Sequence, residues 1–331
     1  MNSSLPIASL SLDLDNQWSY LKVHGDSGWE SFPSYLDLLI PRVLEFLAER
    51  NLKITFFIVG QDAALKKNHA ALRMLTAAGH EAGNHSFSHE PWFHHFGRER
   101  IESEIAFAEE HIGEVTGQRP LGYRGPGFSF SRTTLEVLEA RGYQYDASTF
   151  PTFIGPFARF YYLRHSNLKG GDLEKRNMLF GSLMDGFRPL APYRWRHGKG
   201  LVEIPVTTMP IVRMPIHLSY LLYLSSFSTS LALSYFRVAL ELCRIRRISP
   251  SLLLHPLDFL GPEDRIGLEF FPGMRLSKVQ KLAFLHQTIA ALATHFRVTS
   301  LLEHSRTMIG ESGQALTDSH PRRYPILKSG L

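Results

Sequence analysis

The sequence predicts an α/β fold, because short β-rich apolar segments alternate along it with amphipathic helical segments. Several predicted helices stop at a glycine, as helices commonly do, at Gly79, Gly117 and Gly142. With 331 residues, 44% of them hydrophobic, the chain is also long enough to bury a large core. Repeated β-α units of this length predict a parallel sheet with helices outside it, either open or closed into a barrel.

The first half of the chain contains three predicted β-α units. Residues 10–14 are the first strand, and residues 35–49 form a helix because their apolar positions repeat at the helical period. Residues 53–60 are an unbroken apolar run closed by glycine, which is typical of a strand buried on both faces. The next helix, strand and helix are predicted at residues 62–78, 80–85 and 98–116.

The second half continues the same alternation with a longer interruption. A strand at residues 122–124 precedes a helix at residues 131–141, and a strand at residues 143–146 follows. The last predicted helix covers residues 277–294. The remaining strands are predicted at residues 201–206, 252–255 and 296–301.

Residues 152–200 interrupt the alternation with glycines, prolines, aromatic residues and short basic stretches. Since long loops in compact folds usually serve function, we interpret this segment as an insertion near the mouth of the site. Residues 310–331 are polar and lack a pattern, so they are predicted to be a flexible tail. The prediction is therefore one domain over residues 1–309 followed by a tail.

The formal net charge of +5 is carried by basic residues that are scattered rather than clustered. No zinc finger or long basic tract is visible, so the composition argues against nucleic acid as a partner. The single cysteine, Cys243, lies at helical spacing among apolar residues and is predicted to be a buried packing residue. The first strand begins within about ten residues of Met1, which predicts a cytoplasmic location.

Residues 216–236 contain no charged side chain over 21 positions, which is long enough for a membrane span. His217, six serines and the position between two strands of one sheet argue against spanning. A buried helical hairpin is the prediction. The alternative is an interfacial element that docks the chain on the cytoplasmic leaflet, where a lipid-linked sugar is presented.

The segment from Gly83 to His89 carries the strongest chemical signal. His85 and His89 are four residues apart, the spacing that places two imidazoles on one face of a helical turn, where a divalent metal can take both. Catalytic groups gather at the carboxyl ends of parallel strands in open sheets and in barrels. The residues predicted at such ends are Asp13, Asp15, His85, His89, Arg124, Asp146 and His255.

Five short motifs that contain these residues occur in a fixed order. They are Asp13-x-Asp15, His85-x-x-x-His89, Tyr123-Arg124-Gly125-Pro126-Gly127, Tyr145-Asp146-Ala147-Ser148 and Leu254-His255-Pro256. Together they resemble the motifs of the polysaccharide deacetylase family with the NodB homology domain, from about residue 9 to about residue 305. The resemblance implies a distorted (β/α) barrel. The Asp-x-Asp form of the first motif resembles cytoplasmic-type branches of that family.

The resemblance implies one divalent metal held by Asp15, His85 and His89. Nitrogen and oxygen ligands suit Zn²⁺, and three protein ligands leave positions open for water and substrate. Co²⁺, Ni²⁺ and Mn²⁺ are alternatives.

The same resemblance implies the catalytic roles. Asp13 matches the base that takes a proton from metal-bound water, and Arg124 matches the arginine that holds this base by a bidentate contact. His255 matches the acid that protonates the departing amine, and Asp146 matches the carboxylate that orients this imidazole. Because Leu14 separates the two aspartates, the order of their roles stays open.

Four further residues lie near these motifs. Asp258 and Trp18 are candidates for supporting or rim positions, and the alternative for both is a purely structural role. His94 and His95 are expected to be surface residues rather than additional ligands.

These observations favour a metal-dependent N-deacylase, most simply an N-deacetylase, that acts on an N-acylated sugar in glycan or glycoconjugate biosynthesis. The sugar is expected to be nucleotide-linked, lipid-linked or small. One alternative is a non-sugar C-N amidohydrolase of the same superfamily. The other is a catalytically silent carbohydrate-binding protein, which the full set of base, acid and ligands argues against.

Overall fold

Within residues 5–155, 183–196, 200–268 and 271–311, which a computed structural model describes, nine strands form one sheet. The strands are β1 (Ile7–Asp13), β2 (Thr55–Ile58), β3 (Glu81–Asn84), β4 (Gly122–Tyr123), β5 (Tyr145–Asp146), β6 (Tyr193–Arg194), β7 (Val202–Glu203), β8 (Ser251–Leu254) and β9 (Arg297–Thr299). Their order across the sheet is β6-β7-β5-β4-β3-β2-β1-β8, and β9 also pairs with β1.

Parallel pairing runs through this sheet, as helical crossover connections require. β6 pairs antiparallel with β7, and the other pairings between the described strands are parallel. No pairing among them joins β8 or β9 back to β6, so the curled sheet remains open along one side. The predicted α/β fold with a distorted barrel is confirmed.

Ten α-helices accompany the strands in the described part of the chain. They are α1 (Gln17–His24), α2 (Leu36–Ala48), α3 (Gly60–Ala64), α4 (His69–Ala77), α5 (Arg98–Thr116), α6 (Arg132–Ala140), α7 (Leu218–Ser225), α8 (Thr229–Ile245), α9 (Lys278–His295) and α10 (Leu301–Glu311). The largest core cluster lies between the outer face of the sheet and these helices. Leu10 and Leu12 of β1 belong to it, as do Phe236 of α8 and Leu285 of α9.

The helix predicted at residues 62–78 is interrupted in the structure. It consists of α3 and α4 with a 3-10 turn, Lys66–Asn68, between them. The Asn68 amide donates to the Asp62 carbonyl and carboxylate, and this side-chain bonding offers the backbone an alternative to a continuous helix. The strand predicted at residues 201–206 is also shorter, because only Val202–Glu203 pairs as a strand.

Much of the predicted insertion lies outside the described residues, namely residues 156–182 and 197–199, and so does the tail from residue 312 onward. Residues 310–311 belong to the last helix, α10. The single-domain arrangement over residues 1–309 stays a prediction. Cys243 is buried, as expected.

Residues 216–236 contain α7 and the first half of α8, which pack against each other as the predicted helical hairpin. The expectation that this hairpin is buried was wrong on one side, because Tyr223, Phe227 and Leu231 are exposed. Among the described helices, none is long and apolar enough to cross a bilayer.

Candidate metal centre

Side chains on the strands point alternately to the two faces of the sheet, and one face carries the site. On β1, Leu10 and Leu12 lie in the outer core, whereas Ser11 and Asp13 both contact the buried guanidinium of Arg124. The ring of Phe57 on β2 lies on this inner face as well, with the Arg124 guanidinium carbon 4.4 Å from its centroid. The inner face therefore collects polar groups from several strands.

The register of the parallel strands brings the predicted residues to one level. Leu12 is opposite Leu254, so Asp13 and His255 follow at adjacent positions on β1 and β8. In the same way Asn84 is opposite Tyr123, and the next residues, His85 and Arg124, are linked by a hydrogen bond. Residues that are far apart in sequence meet for this reason at one end of the sheet.

Asp15, His85 and His89 converge on a small volume. Oδ1 of Asp15 lies 2.9 Å from Nε2 of His89 and 3.4 Å from Nε2 of His85. One ligand atom from each residue lies within 4.8 Å of the other two. Both imidazoles are buried, and the Asp15 carboxylate is partly exposed. The three predicted ligands are thus placed together.

The segment that carries the two histidines is an irregular loop, so the expected helical turn was wrong. Ser86 and His89 have φ angles of 60° and 51°, which no α-helical turn contains. Glu104 of α5 causes this shape, because its carboxylate accepts the backbone N–H groups of Phe87 and Ser88 and the hydroxyl of Ser88. The imidazoles still meet, with ring centroids 5.1 Å apart.

The electrostatics of the three residues fit a divalent cation. Burial by itself would raise the pKa of Asp15, but the charge of His89 and hydrogen bonds from both rings hold that pKa well below its usual range. Burial would lower the pKa of His85, whereas the carboxylates of Asp13 and Asp15 raise it above its ordinary value. The pocket therefore favours positive charge beside its carboxylates.

The hydrogen bonding of His85 gives an independent test of this fit. Its Nδ1 donates to the Arg124 carbonyl at 2.6 Å, so in the neutral ring Nε2 carries a lone pair that faces Oδ1 of Asp15. When Nε2 carries no proton, the two lone pairs repel each other at 3.4 Å, and a divalent cation bound between them would take the place of that proton. The donor set of two nitrogens and one oxygen suits Zn²⁺ and related divalent ions.

Asp13 is held by Arg124, as the sequence predicted, but through one contact rather than two. Nη1 of Arg124 lies 2.6 Å from Oδ1 of Asp13 and also donates to the Ser11 hydroxyl at 2.8 Å. Its Nε donates to the Ala147 carbonyl at 2.9 Å, and Nη2 has no partner among the described residues. Because Nε and Nη1 point to different partners, the expected bidentate contact with Asp13 is wrong.

His255 is oriented by Ser219 and Asp258. The Ser219 hydroxyl lies 3.0 Å from Nδ1 of His255 and donates to Oδ1 of Asp258 at 2.7 Å. Oδ2 of Asp258 accepts the backbone N–H of His255 at 2.8 Å. Since the hydroxyl proton is used for Asp258, Nδ1 donates to the hydroxyl oxygen, and Nε2 is the ring nitrogen that carries the lone pair when the imidazole is neutral.

Asp146 does not contact His255, so its predicted orienting role is wrong. Tyr145 packs against Phe57 on the inner face, and alternation along β5 turns Asp146 to the outer face. There its Oδ1 accepts the Ser148 hydroxyl at 2.6 Å, and Glu203 of β7 occupies the adjacent position in register. Asp258 takes the place beside His255 that the sequence assigned to Asp146.

Asp146 and Glu203 form a fully buried carboxyl pair. Burial raises the pKa of Glu203 well above its ordinary value, and the adjacent charge of Asp146 raises it further. Burial also raises the pKa of Asp146. Oδ2 of Asp146 has no donor among the described side chains, and a proton held by Glu203 would supply one. The pair is therefore most stable with one shared proton.

Aromatic residues contact two of the three candidate ligand residues, His89 and Asp15. The rings of Trp18 and His89 pack edge to face, with centroids 6.4 Å apart, and the Trp18 indole N–H donates to the buried Asp62 at 3.0 Å. The hydroxyl of Tyr35 donates to the Asp15 carbonyl. Trp18 was a candidate for such a position, whereas Tyr35, Asp62 and Ser219 were missed because no local pattern marks them.

His94 and His95 are not part of the centre. His94 is half-buried and bonded to the Ser129 hydroxyl at 2.7 Å, and burial lowers its pKa to about 4. His95 is exposed. Neither belongs to the group of candidate metal ligands found among the described residues, and the expectation of a surface position holds for His95 but not for His94.

Comparison with known proteins agrees with this geometry. Residues 26–145 match the model of the polysaccharide deacetylase family. This part of the chain is therefore similar to polysaccharide deacetylases. Within the family segment lie His85, His89 and Arg124, whereas Asp13, Asp15 and His255 lie outside it. The Asp-x-Asp branch and the individual residue roles stay predictions.

Two curated proteins of the family give the extent of the similarity. The chain is 32% identical to the peptidoglycan deacetylase of Helicobacter pylori over 118 residues, which are 36% of this chain and 39% of that protein. It is 25% identical to the peptidoglycan-N-acetylglucosamine deacetylase of Bacillus cereus over 180 residues, which are 50% of this chain and 62% of that protein. The chain thus spans less than two thirds of either relative.

A solved structure extends the likeness to the whole chain. The crystal structure of a Mycobacterium smegmatis protein named for the polysaccharide deacetylase family superposes with a TM-score of 0.59. The match covers 98% of this chain and 97% of that one, at 19% identity. At this identity the likeness concerns the fold alone, and it supports the distorted barrel described above.

Proposed function

We propose that this protein is a metal-dependent hydrolase that removes an acyl group, most simply acetyl, from the nitrogen of an N-acylated sugar. One observation carries the proposal. A buried carboxylate, Asp13, ends β1 two residues before Asp15 of the Asp15, His85 and His89 cluster, and His255 directly follows β8 at the adjacent position in register. Amide hydrolysis needs a base for the attacking water, an acid for the leaving amine and an electrophile for the carbonyl oxygen.

Asp13 is the base in this proposal. It takes a proton from the water that attacks the amide carbonyl, and Oδ2, which is not bonded to Arg124, is the oxygen that can receive it. Arg124 holds the carboxylate in place and supplies the positive charge that compensates it in a buried position. Asp13 itself is not a ligand in this arrangement, because Asp15 is the aspartate beside the two histidines.

His255 is the acid. An amine is a poor leaving group unless it is protonated, and Nε2 of His255 is the nitrogen that can deliver this proton. Ser219 and Asp258 fix the ring from the other side through Nδ1, and the nearby Asp258 carboxylate stabilises the charged imidazolium. Asp13 and His255 therefore act on opposite ends of the same bond.

Asp15, His85 and His89 would hold the metal. A divalent ion held by these residues would polarise the carbonyl oxygen and would lower the pKa of water, and both effects would promote amide hydrolysis at neutral pH. Trp18 packs against His89, and Arg124 accepts a hydrogen bond from His85 through its carbonyl, so both imidazoles are oriented before any ion binds.

The sugar substrate is inferred from the relatives, whose names specify deacetylation of peptidoglycan and of chitooligosaccharide. A nucleotide-linked, lipid-linked or small aminosugar is the form we propose, at the cytoplasmic side of the membrane. Cell fractionation with an antibody against the full chain would test the location.

Product analysis tests the function. Protein loaded with Zn²⁺ or Co²⁺ is incubated with N-acetylated sugars in one series and with ureides in another. Acetate release from a sugar supports the proposal, and ammonia or urea release from a ureide identifies the non-sugar amidohydrolase instead. If neither product forms but the sugars bind, the protein is a silent carbohydrate-binding protein. The Asp13→Asn variant is the matched control, since any release that it retains at the unmodified rate comes from a contaminant.

A further inference from the structure

Large apolar side chains are exposed along the hairpin of α7 and α8. We define the hairpin stripe as Tyr223, Phe227, Leu231, Val238 and Ile245. The exposed fraction is 74% for Phe227, 68% for Ile245 and 65% for Leu231, which is far above what such residues show in a packed core. The rings of Tyr223 and Phe227 contact each other, with centroids 5.3 Å apart, so the turn end of the stripe is continuous.

The stripe faces away from the body of the protein. Leu231, Val238 and Ile245 are seven residues apart, which places them along one side of α8 over about 21 Å at 1.5 Å per residue. Ala232, Phe236, Ala239 and Cys243 are buried and occupy the opposite side of the same helix. One helix thus has two apolar faces, and only one of them packs on the barrel.

Positive charge flanks the stripe. Between residues 216 and 247 the sequence contains four arginines and one carboxylate, Glu241. Arg237, Arg244, Arg246 and Arg247 are all exposed. Glu241 pairs with Arg244 at 2.9 Å, and no described carboxylate pairs with the other three arginine side chains. The surface therefore combines an apolar stripe with a net positive margin.

We propose that the α7–α8 hairpin docks this protein on the surface of an anionic lipid bilayer. Exposed apolar residues on one helix face enter the boundary between headgroups and acyl chains, and arginines beside them contact anionic headgroups. The hairpin lies on the bilayer and does not cross it, because neither of its two helices is long and apolar enough to span. A hydrophobic protein partner would not require the exposed arginines beside the stripe.

The docking surface is connected to the candidate site through one short helix. His217 caps the start of α7 and lies 6.1 Å from the His255 ring, and Ser219 in its first turn bonds to His255. Tyr223 of the stripe is on the same helix. Resting on the proposed function, this placement predicts that N-acylated sugars held on a lipid at the membrane surface are hydrolysed faster than the same sugars in solution.

Vesicle flotation of the full chain tests the docking. We expect it to float with phosphatidylcholine vesicles that contain phosphatidylserine, and much less with phosphatidylcholine alone. The variant Phe227→Ser, Leu231→Ser, Val238→Ser should lose flotation, because each large apolar side chain contributes about a tenfold effect on partitioning. Val279→Ser removes an apolar side chain of 72% exposure on α9 and should float like the unmodified protein. Equal flotation of both variants would overturn the proposal.

Two further measurements distinguish docking on lipid from self-association and from catalysis. Light scattering without vesicles measures the mass of each protein in solution. A dimer of the unmodified chain together with a monomer of the triple variant would overturn the proposal, because the stripe would then bind a second copy of this chain. Acetate release from a soluble N-acetylated sugar should be equal in the unmodified chain and the triple variant. Flotation without hydrolysis of any sugar would contradict the proposed function and leave the docking proposal intact. Hydrolysis without flotation would contradict the docking proposal and leave the proposed function intact.

Discussion

Arg124 and Asp13 form a buried ion pair, with Nη1 of the arginine 2.6 Å from Oδ1 of the carboxylate. The arginine side chain is fully buried and the aspartate nearly so. Removing one partner of such a pair leaves an uncompensated charge away from water, which costs far more than the pair itself contributes. The pair therefore contributes to the stability of the fold as well as to the proposed chemistry.

We expect Arg124→Ala to lower the free energy of unfolding by roughly 3–5 kcal/mol, as measured by urea denaturation. Arg132→Ala removes an exposed arginine that pairs with Glu136 at 3.0 Å, and it should change that free energy by less than about 1 kcal/mol. If Arg124→Ala does not fold, Arg124→Lys, which keeps the positive charge, replaces it in the same denaturation measurement. Equal stability of the Arg124→Ala and Arg132→Ala variants would contradict the buried pair.

The two aspartates of the first motif should respond differently to removal of their charge. Asp15→Asn should lose both bound metal and turnover, because Asp15 lies beside the two histidines. Asp13→Asn should keep the metal and lose turnover by about 10²–10⁴-fold, the usual contribution of a general base. Metal content per chain and acetate release measure the two effects.

His85→Ala and His89→Ala complete this test, because each should bind less metal than the unmodified chain. Unchanged metal content in both would remove the proposed centre. If Asp13→Asn, rather than Asp15→Asn, released the metal, the roles of the two aspartates would be reversed.

Much of the site could be predicted because parallel strands end at one edge of a sheet. Asp13, His85, Arg124 and His255 each end or directly follow an apolar strand, and the structure places them at one level. The convergence of these residues depends on strand position, which the hydrophobic pattern reveals. The choice of Asp15 as the partner of the histidines was implied by the family resemblance, and in the structure Asp15 lies beside both imidazoles.

The face to which Asp146 points could not be predicted in this way. β5 is buried on both sides, so its sequence has no polar and apolar alternation that would mark an inner face. Tyr145 takes the inner position and Asp146 the outer one. Ser219 was missed for a related reason. A serine in an uncharged apolar helix has no sequence feature that indicates a functional role, and its contact with His255 arises only because α7 packs beside β8.

Ser219 should act as a positioning residue for His255. We expect Ser219→Ala to lower kcat about tenfold with KM unchanged, which corresponds to one hydrogen bond of ~1.4 kcal/mol. His255→Ala should lose about 10²–10⁴-fold as the missing acid. Ser225→Ala on the same helix, whose hydroxyl donates to the Leu222 carbonyl, should leave kcat unchanged. A normal kcat for Ser219→Ala would contradict this role.

Asp146→Asn distinguishes a stability role for Asp146 from a catalytic one. The folded-state pKa of Asp146 and of Glu203 is raised, so their stabilising protonated form is present below the ordinary values of 3.8 and 4.5 and is lost as pH rises toward the folded-state values. Between the ordinary and the folded-state pKa of each group, we expect the free energy of unfolding to fall by about 1.4 kcal/mol per pH unit. In Asp146→Asn the amide should donate to Glu203 and flatten this fall, as urea denaturation at several pH values will show. Because Asp146 is on the outer face, acetate release should be unaffected, and a large loss of kcat with normal stability would restore the role that the sequence assigned to it.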